Sequence, residues 1–480
     1  MLPARVPRAS FEVLIDARSG RSVRVRDLLR HASGTARVFD TNAVVEQGSR
    51  RGLSDAGDAD SGVPSSLYTP VTLKRLSGTC LTGSWVRAQL GSLDVCDSAR
   101  DFQTTRSADR FEPAMAYFHV DRAQQYIRGL GFTNVFARPL TVHANDFSDD
   151  NSYFDPFTDE IALGSGGVDD GEDGEVILHE YGHAIQDDQV EGFGWSAEGG
   201  AMGEGFGDYL AAAIAATYAA NPELDPCVAE WDSLGYQNPR SCLRRTDRDL
   251  TAEQVAGPPC FGEVHCAGEA WSAALWDIRS QLGGAVADRL VIQSHFSLTA
   301  TADFHEGSAA LLGADGALNG GAHQAFLRNL LSSRGLLDLE RLDGDGDGRP
   351  DRQDNCPAVA NPRQSDWNRD GRGDVCDGRA QVTLESARAR RGEVILDGRA
   401  RPASLIAASD WRVRVQRRAC RASGCRWQAV TLAPGKRKVR GGQIRTSVTL
   451  RGPGLYRFQA LLRHPRLIAP RSAFKALSLR

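Results

Sequence analysis

The chain has 480 residues, of which 41% are hydrophobic and 25% charged. This length accommodates two or three domains, the composition is ordinary for a water-soluble protein, and no apolar run is long enough for a membrane span. The net charge of −4 is uneven, because residues 381–480 hold 23 Lys or Arg against four acids. Such a basic region could bind nucleic acid, an anionic polymer or a cell surface. Since its arginines alternate along predicted strands, a solvated face is the simpler interpretation, and we expect no nucleic-acid role.

Ten cysteines occur as near neighbours along the chain. Their even number and local clustering predict disulfides and an oxidising, extracellular location, although the sequence does not determine the pairing. Metal binding by cysteines in a cytosolic protein is the alternative, which the lack of a Cys-x-x-Cys motif disfavours. The N-terminus has no apolar core of a signal peptide, so we expect that this sequence begins after it. The neighbours are Cys80 and Cys96, Cys227 and Cys242, Cys260 and Cys266, Cys356 and Cys376, and Cys420 and Cys425.

The first third of the chain predicts a β-rich region followed by a helix. Residues 11–23 have the pattern of a strand, a turn and a second strand. Residues 40–105 are rich in Gly, Ser and Asp with short apolar alternations, which predict a loop-rich β lobe. Apolar residues at helical spacing then predict a core-facing helix from Asp109 to Leu130. The acids of residues 169–173 could bind calcium, but we favour a solvated loop before the next helix.

The candidate active site begins with the run HEYGH from His179 to His183. On a helix the two histidines lie one turn apart on one face, so both imidazoles can bind one metal ion beside Glu180. A catalytic zinc needs a third protein ligand, for which Glu204 is the best candidate. One turn later, Asp208 can accept a hydrogen bond from the far nitrogen of a ligating histidine. We therefore predict Glu180 to be the general base of a zinc site.

A chance pair of histidines on a half-buried helix is the alternative to this zinc site. We expect Glu204 to open an Ala-rich helix that continues through residues 209–220. The Glu-x-x-x-Asp spacing at the start of this helix favours the metal site over chance, because it supplies both a ligand and its hydrogen-bond partner.

Three motifs in this order resemble the fungalysin family of secreted metallopeptidases, which are relatives of thermolysin. They are HEYGH at 179–183, GGAMGEGFGD at 199–208 and VHCAGEAW at 264–271. The resemblance spans about residues 110–335. It implies a thermolysin-like catalytic domain with a β-rich N-terminal lobe and a helical C-terminal lobe, one Zn²⁺, and endopeptidase activity on proteins or peptides.

The same resemblance implies roles for further residues. His265 would hydrogen-bond the oxyanion of the tetrahedral intermediate, with a structural histidine at a helix start as the alternative. Asn151 would help to hold the substrate as an added strand, although a plain turn residue is the simpler interpretation. Residues 1–35 would include the last hairpin of an inhibitory propeptide, or else an ordinary N-terminal hairpin. Residues 184–203 contain no tyrosine to match thermolysin's second oxyanion donor.

Residues 341–378 contain two acidic loops with the same spacing of carboxylates. Such spacing lets a short loop wrap around Ca²⁺, and the interposed Asn-Cys-Pro run resembles a thrombospondin type 3 repeat. Because the carboxylates repel one another without a cation, this segment should stiffen only with calcium, unless it is a plain acidic linker. The predicted ligands are Asp343, Asp345, Asp347, Asp351 and Asp354 in the first loop, and Asp366, Asn368, Asp370, Asp374 and Asp377 in the second.

From residue 382 onward, alternating apolar and polar residues between Gly and Pro turns predict an antiparallel β-sandwich of around seven strands. The predicted fold class is therefore α+β, with a possible propeptide remnant at 1–35, a catalytic domain at 36–340, a calcium repeat at 341–378 and an accessory domain at 379–480. We expect a monomeric, secreted zinc endopeptidase whose last domain could attach it to a cell surface or polymer. The alternative is a non-catalytic adhesive surface protein on a peptidase scaffold.

Overall fold

A computed structural model describes most of the chain. The described residues are 11–15, 22–27, 32–218, 226–236, 242–390, 393–407, 410–421, 424–430, 437–450, 452–462 and 472–479. The chain divides into two compact units, Met1–Asp338 and Leu339–Arg480. None of the helices in the described ranges is both long and apolar enough to cross a bilayer.

The first unit begins with short strands and ends with long helices. Its strands are β1 (Phe11–Ile15), β2 (Ser22–Asp27), β3 (Ala32–Val38), β4 (Thr69–Leu76), β5 (Val86–Leu90), β6 (Leu93–Asp94), β7 (Asp101–Phe102), β8 (Leu140–Phe147), β9 (Ser152–Asp155), β10 (Glu160–Gly164), β11 (Cys227–Val228) and β12 (Arg244–Arg245). Its helices are α1 (Ala43–Gln47), α2 (Phe111–Gly129), α3 (Gly174–Gln189), α4 (Ala197–Tyr218), α5 (Ala252–Ala256), α6 (Val264–Leu282), α7 (Gly284–His295), α8 (Phe304–Asn319) and α9 (Gln324–Ser333).

The first unit contains a mixed five-stranded sheet. Its strand order is β6-β5-β8-β10-β9, with β8 parallel to both β5 and β10. Strand β9 pairs antiparallel with β10 and stands at the sheet edge. The strands β1 and β2 pair as the predicted N-terminal hairpin, whose turn at 16–21 lies outside the described residues.

Helices α3, α4 and α6 pack together at glycines. A Cβ added to Gly182 of α3 would lie 2.9 Å from the Cα of Gly207 in α4, and one added to Gly205 would lie 2.5 Å from the carbonyl oxygen of Gly268 in α6. Backbones can approach this closely only where side chains are missing. The prediction that a helix opens at Glu204 is wrong, because α4 already begins at Ala197. Glycines disfavour helix in isolation, and here packing against two neighbouring helices overrides that preference.

The acidic segment before α3 is buried, so the prediction of a solvated loop is wrong. Its four acids, Asp169, Asp170, Glu172 and Asp173, are all shielded from solvent. Glu172 accepts hydrogen bonds from Arg106 at 2.9 Å and from the indole nitrogen of Trp231 at 2.9 Å. The Asp173 carboxylate caps α3 by accepting from the backbone nitrogen of Glu175 at 2.9 Å. Partners from distant segments therefore replace water around these carboxylates.

The second unit contains two four-stranded antiparallel sheets. Their orders are β13-β14-β18-β17 and β16-β15-β19-β20. Apolar residues of both sheets form one core, centred on Trp411, Phe458 and Leu396. The elements are α10 (Asp374–Asp377), β13 (Gln381–Arg390), β14 (Glu393–Arg401), β15 (Trp411–Arg421), β16 (Gly424–Ala429), β17 (Arg437–Arg440), β18 (Gln443–Thr449), β19 (Gly454–Leu462) and β20 (Lys475–Leu479).

Candidate metal centre

Helices α3 and α4 bring three predicted ligands together. The Nε2 atoms of His179 and His183 lie 3.2 Å apart. The Glu204 carboxylate places Oε2 at 3.3 Å from the first nitrogen and Oε1 at 3.5 Å from the second. One turn of α3 separates the two imidazoles, and the glycine-rich face of α4 lets the carboxylate reach them.

These residues fit a zinc ion by geometry and by chemistry. Zinc bonds of about 2.0–2.1 Å at tetrahedral angles separate neighbouring ligand atoms by about 3.3–3.4 Å, which is close to the separations observed here. Two imidazoles and a carboxylate are also a usual donor set for catalytic zinc. Among the described residues, the buried Oε2 of Glu204 has no hydrogen-bond partner. An orphaned carboxylate oxygen facing two imidazole nitrogens is the arrangement that a bound cation would complete.

Asp208 and Arg244 stand behind the first histidine. The carboxylate of Asp208 lies 2.9 Å from Nδ1 of His179, which fixes that nitrogen as a donor and leaves Nε2 to face Glu204. Arg244 in β12 donates from Nε to the same carboxylate at 2.7 Å. Burial opposes a charge on Asp208, but Arg244 and His179 hold its pKa below the usual value. The Asp208 carboxylate therefore stays ionised and holds the His179 ring in the orientation that a metal ligand requires.

The carboxylates and imidazoles of the centre shift one another's pKa values. Burial lowers the pKa of His179, yet the Asp208 and Glu204 carboxylates outweigh burial and raise it to about 10. Burial likewise opposes ionisation of Glu204, and the imidazoles of His179 and His183 nevertheless hold its pKa well below the ordinary range. A proton or a metal ion is thus strongly attracted to the space between these side chains.

Gly207 makes room for the ligating ring. A Cβ at this position would lie 2.7 Å from Nδ1 of His179, closer than side-chain atoms approach one another. The glycine is therefore required by the histidine on the neighbouring helix, in addition to its contact with Gly182. Of the other glycines in the GEGFGD run, Gly205 is required by α6, whereas a Cβ at Gly203 would meet no atom closer than 3.6 Å.

Glu180 lines a cavity of about 460 Å³ beside the centre. Its side chain is buried, and it shares the cavity with His179, His183 and Glu204. The other lining residues are Asn151, Ser152, Tyr153, Phe154, Pro156, Gln186, Asp187, Gly192, Phe193, Gly194, Trp195, Gly200, Gly203 and His265. One of them, Trp195, is 82% exposed, so the cavity opens to solvent beside an aromatic surface. A cleft of this size can admit part of a peptide chain.

His265 stands at the rim of this cavity. Its Nε2 lies 3.4 Å from Oε2 of Glu204, and its Nδ1 lies 2.6 Å from Oε1 of Glu263. Glu263 also caps α6 by accepting from the backbone nitrogens of His265 and Cys266. The disulfide from Cys260 to Cys266 closes a short ring around this helix start. With Nδ1 donating to Glu263, Nε2 can donate a hydrogen bond only when the ring carries both protons.

Asn151 lies beside the metal centre, directly before edge strand β9. It lines the cavity, and its carbonyl oxygen accepts a hydrogen bond from Gly164 at 3.1 Å. The structure therefore brings Asn151, Glu180 and His265 around one opening, although they come from three distant segments.

All ten cysteines form disulfides, as their even number and clustering predicted, and the structure supplies the pairing that the sequence left open. The bridges join Cys80 to Cys96, Cys227 to Cys242, Cys260 to Cys266, Cys356 to Cys376 and Cys420 to Cys425. The second bridge closes the segment that ends just before Arg244, in the two-stranded pair of β11 and β12.

In the second unit, the first acidic loop gathers three of its predicted ligands. Carboxylate oxygens of Asp343, Asp345 and Asp347 lie within 4.8 Å of one another. Asp351 faces the same loop, since it accepts from the backbone nitrogen of Gly344 at 2.7 Å. Asp354 instead accepts from the side chain of Gln364 and the backbone nitrogen of Cys356, both at 2.7 Å. The first loop thus has a cluster of oxygen donors suited to calcium.

The second acidic loop is arranged differently. Asn368 donates to Asp370 at 3.1 Å and to Asp377 at 3.2 Å. The Arg379 guanidinium contacts both of these carboxylates as well. Backbone amides occupy the remaining two acids, because Asp366 accepts from Gly371 at 3.0 Å and Asp374 accepts from Trp367 at 2.9 Å. Positive and donor groups of the chain therefore face the oxygens that we predicted to bind calcium.

Sequence reasoning missed two groups of residues. Arg244 gave no signal, because it lies 36 residues beyond Asp208 in an irregular segment with no periodicity. The second group is Asp150, Asp170 and Asp232, whose carboxylate oxygens also lie within 4.8 Å of one another. Of these, only Asp170 belonged to a stretch that we had considered for calcium, and its two neighbours come from separate loops.

The chain has recognisable relatives. Residues 165–337 match the family model of the fungalysin metallopeptidases (M36), and residues 341–364 match that of the thrombospondin type 3 repeat. Extracellular metalloproteinase 2 of Trichophyton tonsurans is 26% identical over 187 residues, which cover 34% of this chain and 30% of the relative. Extracellular metalloproteinase MEP of Pyricularia oryzae is 24% identical over 188 residues, with the same coverages.

The aligned part of the chain thus spans about 30% of the length of these curated relatives. Among solved structures, the outer membrane decaheme cytochrome OmcA aligns with 20% of this chain and 22% of its own, at 13% identity and a TM-score of 0.16, which is too slight to indicate a shared fold. The chain is therefore similar to the fungalysin metallopeptidases over residues 165–337 and to the thrombospondin type 3 repeat over residues 341–364, as its motifs indicated.

Proposed function

We propose that this protein is a secreted, zinc-dependent endopeptidase. The observation that carries the proposal is the meeting of His179, His183 and Glu204, with an orphaned carboxylate oxygen, at the base of an open cavity lined by Glu180. The names of the relatives, which are extracellular metalloproteinases, support it. The five disulfides agree with an oxidising compartment.

The proposal extends to the architecture. Residues 36–340 would form a thermolysin-like domain, with a β-rich lobe before α3 and a helical lobe after it. Residues 341–378 would form a calcium-binding repeat, and residues 379–480 a β-sandwich made of the two antiparallel sheets. Residues 1–35 would be the remnant of a propeptide. We propose a monomer that acts on protein or peptide substrates.

Zinc held by His179, His183 and Glu204 would supply Lewis acidity for a carbonyl oxygen and would make water a better nucleophile. The protein residues then have three tasks. Glu180 accepts the proton of the attacking water and delivers it to the nitrogen of the departing amine. His265, with Glu263 behind it, donates a hydrogen bond from Nε2 to the oxygen that becomes negative. Asp208, braced by Arg244, keeps the His179 ring in its orientation.

The edge strand β9 would hold the substrate. Its far side has no partner strand among the described residues, and the cavity runs along residues 151–154. An extended peptide can pair with such an edge through its backbone, so that binding depends little on the side chains of the peptide. Asn151, at the start of the strand, would contact the peptide backbone next to the bond that is cut.

Replacement of the general base tests this mechanism. In Glu180→Gln the shape of the side chain is kept, but it can no longer accept the proton of water. We expect casein hydrolysis to fall by roughly 10²–10⁴-fold while the purified protein keeps its zinc, as measured by elemental analysis.

Two controls accompany this experiment. Glu253→Gln makes the same change at an exposed residue of α5 and should leave turnover unchanged. A chelator should abolish turnover in the unmodified protein, and added zinc should restore it. Full activity of Glu180→Gln would overturn the proposed mechanism.

An adhesive role is the second candidate, and the basic C-terminal unit favours it. Residues 381–480 hold 23 Lys or Arg, and Arg412, Arg414, Arg418 and Arg421 are exposed on β15. We propose that this strand attaches the protein to an anionic polymer or cell surface. Replacing these four arginines by serine should shorten retention on heparin at low salt and leave casein hydrolysis unchanged. Unchanged retention would exclude attachment through β15.

A further inference from the structure

A second group of acids lies in the first unit, apart from the zinc centre. Asp150 comes from the loop before β9, Asp170 from the turn before α3, and Asp232 from the turn after β11. Their carboxylate oxygens all lie within 4.8 Å of one another. The three segments also approach one another closely at their backbones. A Cβ added to Gly235 would lie 3.1 Å from the Cα of Gly167, and one added to Gly166 would lie 2.5 Å from the backbone nitrogen of Asp150. Packing of distant segments, and not a single acidic loop, therefore produces this cluster.

Two carboxylate oxygens of this cluster lack hydrogen-bond partners among the described residues. Asp232 is 2% exposed, and its Oδ1 has no hydrogen-bond partner among the described residues. The Oδ1 of Asp150 is likewise buried and unpartnered in the described part of the chain. Asp170 accepts a hydrogen bond from the hydroxyl of Ser152 in β9. Buried carboxylate oxygens without a donor are costly, so two in one cluster indicate that a ligand completes it.

Other buried acids of the first unit, in contrast, have ion-pair or hydrogen-bond partners. Glu172 is paired with Arg106. The side-chain amide of Asn42 donates to Glu230 at 2.9 Å and to Asp173 at 3.2 Å. By contrast, no ion pair between described residues involves Asp150, Asp170 or Asp232. Arg244, whose charge acts on Asp232, is already hydrogen-bonded to Asp208.

We propose that Asp150, Asp170 and Asp232 bind a hard divalent cation, Ca²⁺. The donors are all carboxylate oxygens, which suit calcium and do not favour zinc or copper. Ca–O bonds of about 2.3–2.6 Å allow ligand atoms up to roughly 5 Å apart around one ion, and the observed limit of 4.8 Å falls within that span. One Ca²⁺ would offset two of the three negative charges and would partner both orphaned oxygens.

The location suggests what this ion does. Asp150 directly precedes Asn151, Asp170 holds Ser152, and both of those residues line the cavity of the metal centre. The ion would fix the start of the edge strand against the turn that leads into α3, the helix that bears the two histidines. It would act as a positioning element for the cleft and would touch neither the substrate nor the reacting atoms.

The number of bound calcium ions tests this proposal. The full-length protein is dialysed to equilibrium against micromolar Ca²⁺, and bound calcium is measured by elemental analysis. We expect Asp232→Asn to bind about one ion fewer per chain than the unmodified protein. The exposed neighbour Asp149 provides the matched control, because Asp149→Asn removes an equal charge from the same loop. It should bind as many ions as the unmodified protein.

A second variant guards against misfolding. Asp150 is only half-buried, so Asp150→Asn should fold even if Asp232→Asn does not, and it should also lack about one ion. The variant Asp343→Asn distinguishes this site from the acidic loops of the second unit. Asp343→Asn should itself bind less calcium, and in the double variant with Asp150→Asn the two losses of bound calcium should add. Equal calcium content in Asp150→Asn and the unmodified protein would overturn the proposal and indicate protons in place of a cation.

This readout does not depend on peptide hydrolysis. A protein that binds calcium as expected and fails to cleave casein would reject the proposed enzyme and retain the calcium site. A protein that cleaves casein and shows no loss of calcium in Asp150→Asn would retain the proposed enzyme and reject the calcium site.

Discussion

The histidine–glutamate centre and the acidic loops of residues 343–377 are organised in opposite ways. At the centre, three donors are carried by two long helices, and packing brings them to within bonding distance of one ion. In the loops, donors lie on irregular backbone and most are in contact with amides or with an arginine of the same segment. The first site is shaped by helix packing, whereas many carboxylate oxygens of the loops accept hydrogen bonds or ion pairs from their own segment. In the first loop, Oδ2 of Asp345 still has no partner among the described residues.

The difference lies in where the stabilising free energy comes from. Burial of apolar surface around α3, α4 and α6 holds the centre in place and can offset repulsion between its charges. The loops have little apolar surface, so their order depends on hydrogen bonds, on the disulfide from Cys356 to Cys376 and on any bound cation. Rigid positioning suits catalysis, and a loop ordered by its ion suits a spacer.

The largest effect is expected at the third ligand of the centre. Glu204→Ala removes a carboxylate that both imidazoles face, which leaves two protein ligands where a catalytic zinc needs three. We expect the purified variant to lose its zinc and its casein hydrolysis. Elemental analysis and a hydrolysis assay check this, with Glu198→Ala, on the first turn of α4, as the control. Retained zinc in Glu204→Ala would mean that the donors are other than those proposed.

Arg244→Gln tests whether the centre depends on support from outside the two helices. The change leaves the buried Asp208 carboxylate without its guanidinium partner, so the free energy of unfolding should fall by roughly 3 kcal/mol. Zinc affinity should fall by about 10–100-fold, since Asp208 orients His179. Urea unfolding and competition with a zinc chelator measure the two effects. Arg245→Gln, at the next residue of β12, breaks a pair with Asp247 in which both side chains are 39% exposed, and should cost at most about 1 kcal/mol.

Gly207→Ala tests whether close helix packing shapes the centre. The added methyl group would meet the His179 ring at 2.7 Å, so either the ring or the helix must move. We expect the free energy of unfolding to fall by about 1–3 kcal/mol and zinc affinity to weaken with it. Gly313→Ala makes the same change in α8, where open space surrounds the new methyl group. That control should raise the free energy of unfolding by about 0.5–1 kcal/mol.

The smallest effect is expected in the second acidic loop. Arg379 contacts Asp370 and Asp377, so Arg379→Gln should free these carboxylates for a cation and tighten binding by roughly two- to fivefold. Terbium luminescence sensitised by Trp367, which lies in this loop, reports its occupancy. Arg349→Gln, in the first loop, should leave that signal unchanged. A weaker terbium signal in Arg379→Gln would mean that the arginine supports the loop and does not compete with the ion.

Much of the centre could be predicted from local spacing. His179 and His183 are one turn apart, and Glu204 and Asp208 are as well, so helical periodicity alone places each pair on one face. The start of α4 was misplaced because propensity argues against helix in a glycine-rich run. Tight packing overrides that preference in the first turns of α4, where a Cβ on Gly199 would lie 3.1 Å from the carbonyl oxygen of Ala302 and one on Gly200 would lie 3.0 Å from Cγ1 of Val264.

The support around the centre could not be predicted from spacing. Arg244 reaches Asp208 from a short strand pair closed by a disulfide, and neither feature has a period that relates it to α4. Asp150, Asp170 and Asp232 meet only because three separate turns pack together. The acids of 169–173 looked solvated since the sequence does not reveal that Arg106, 66 residues before Glu172, covers them. Long-range packing decides such contacts, and local patterns do not report it.

The covalent ring formed by Cys260 and Cys266 has a consequence for the imidazole that it contains. At 55% exposure, the His265 side chain has little around it to restrict its motion. The disulfide joins two residues six positions apart and so restricts the backbone of this short segment, in the unfolded chain as well as in the folded one. What remains is rotation about two side-chain torsions, of which the Glu263 carboxylate favours one combination. The disulfide between Cys260 and Cys266 therefore limits how far the His265 imidazole can move.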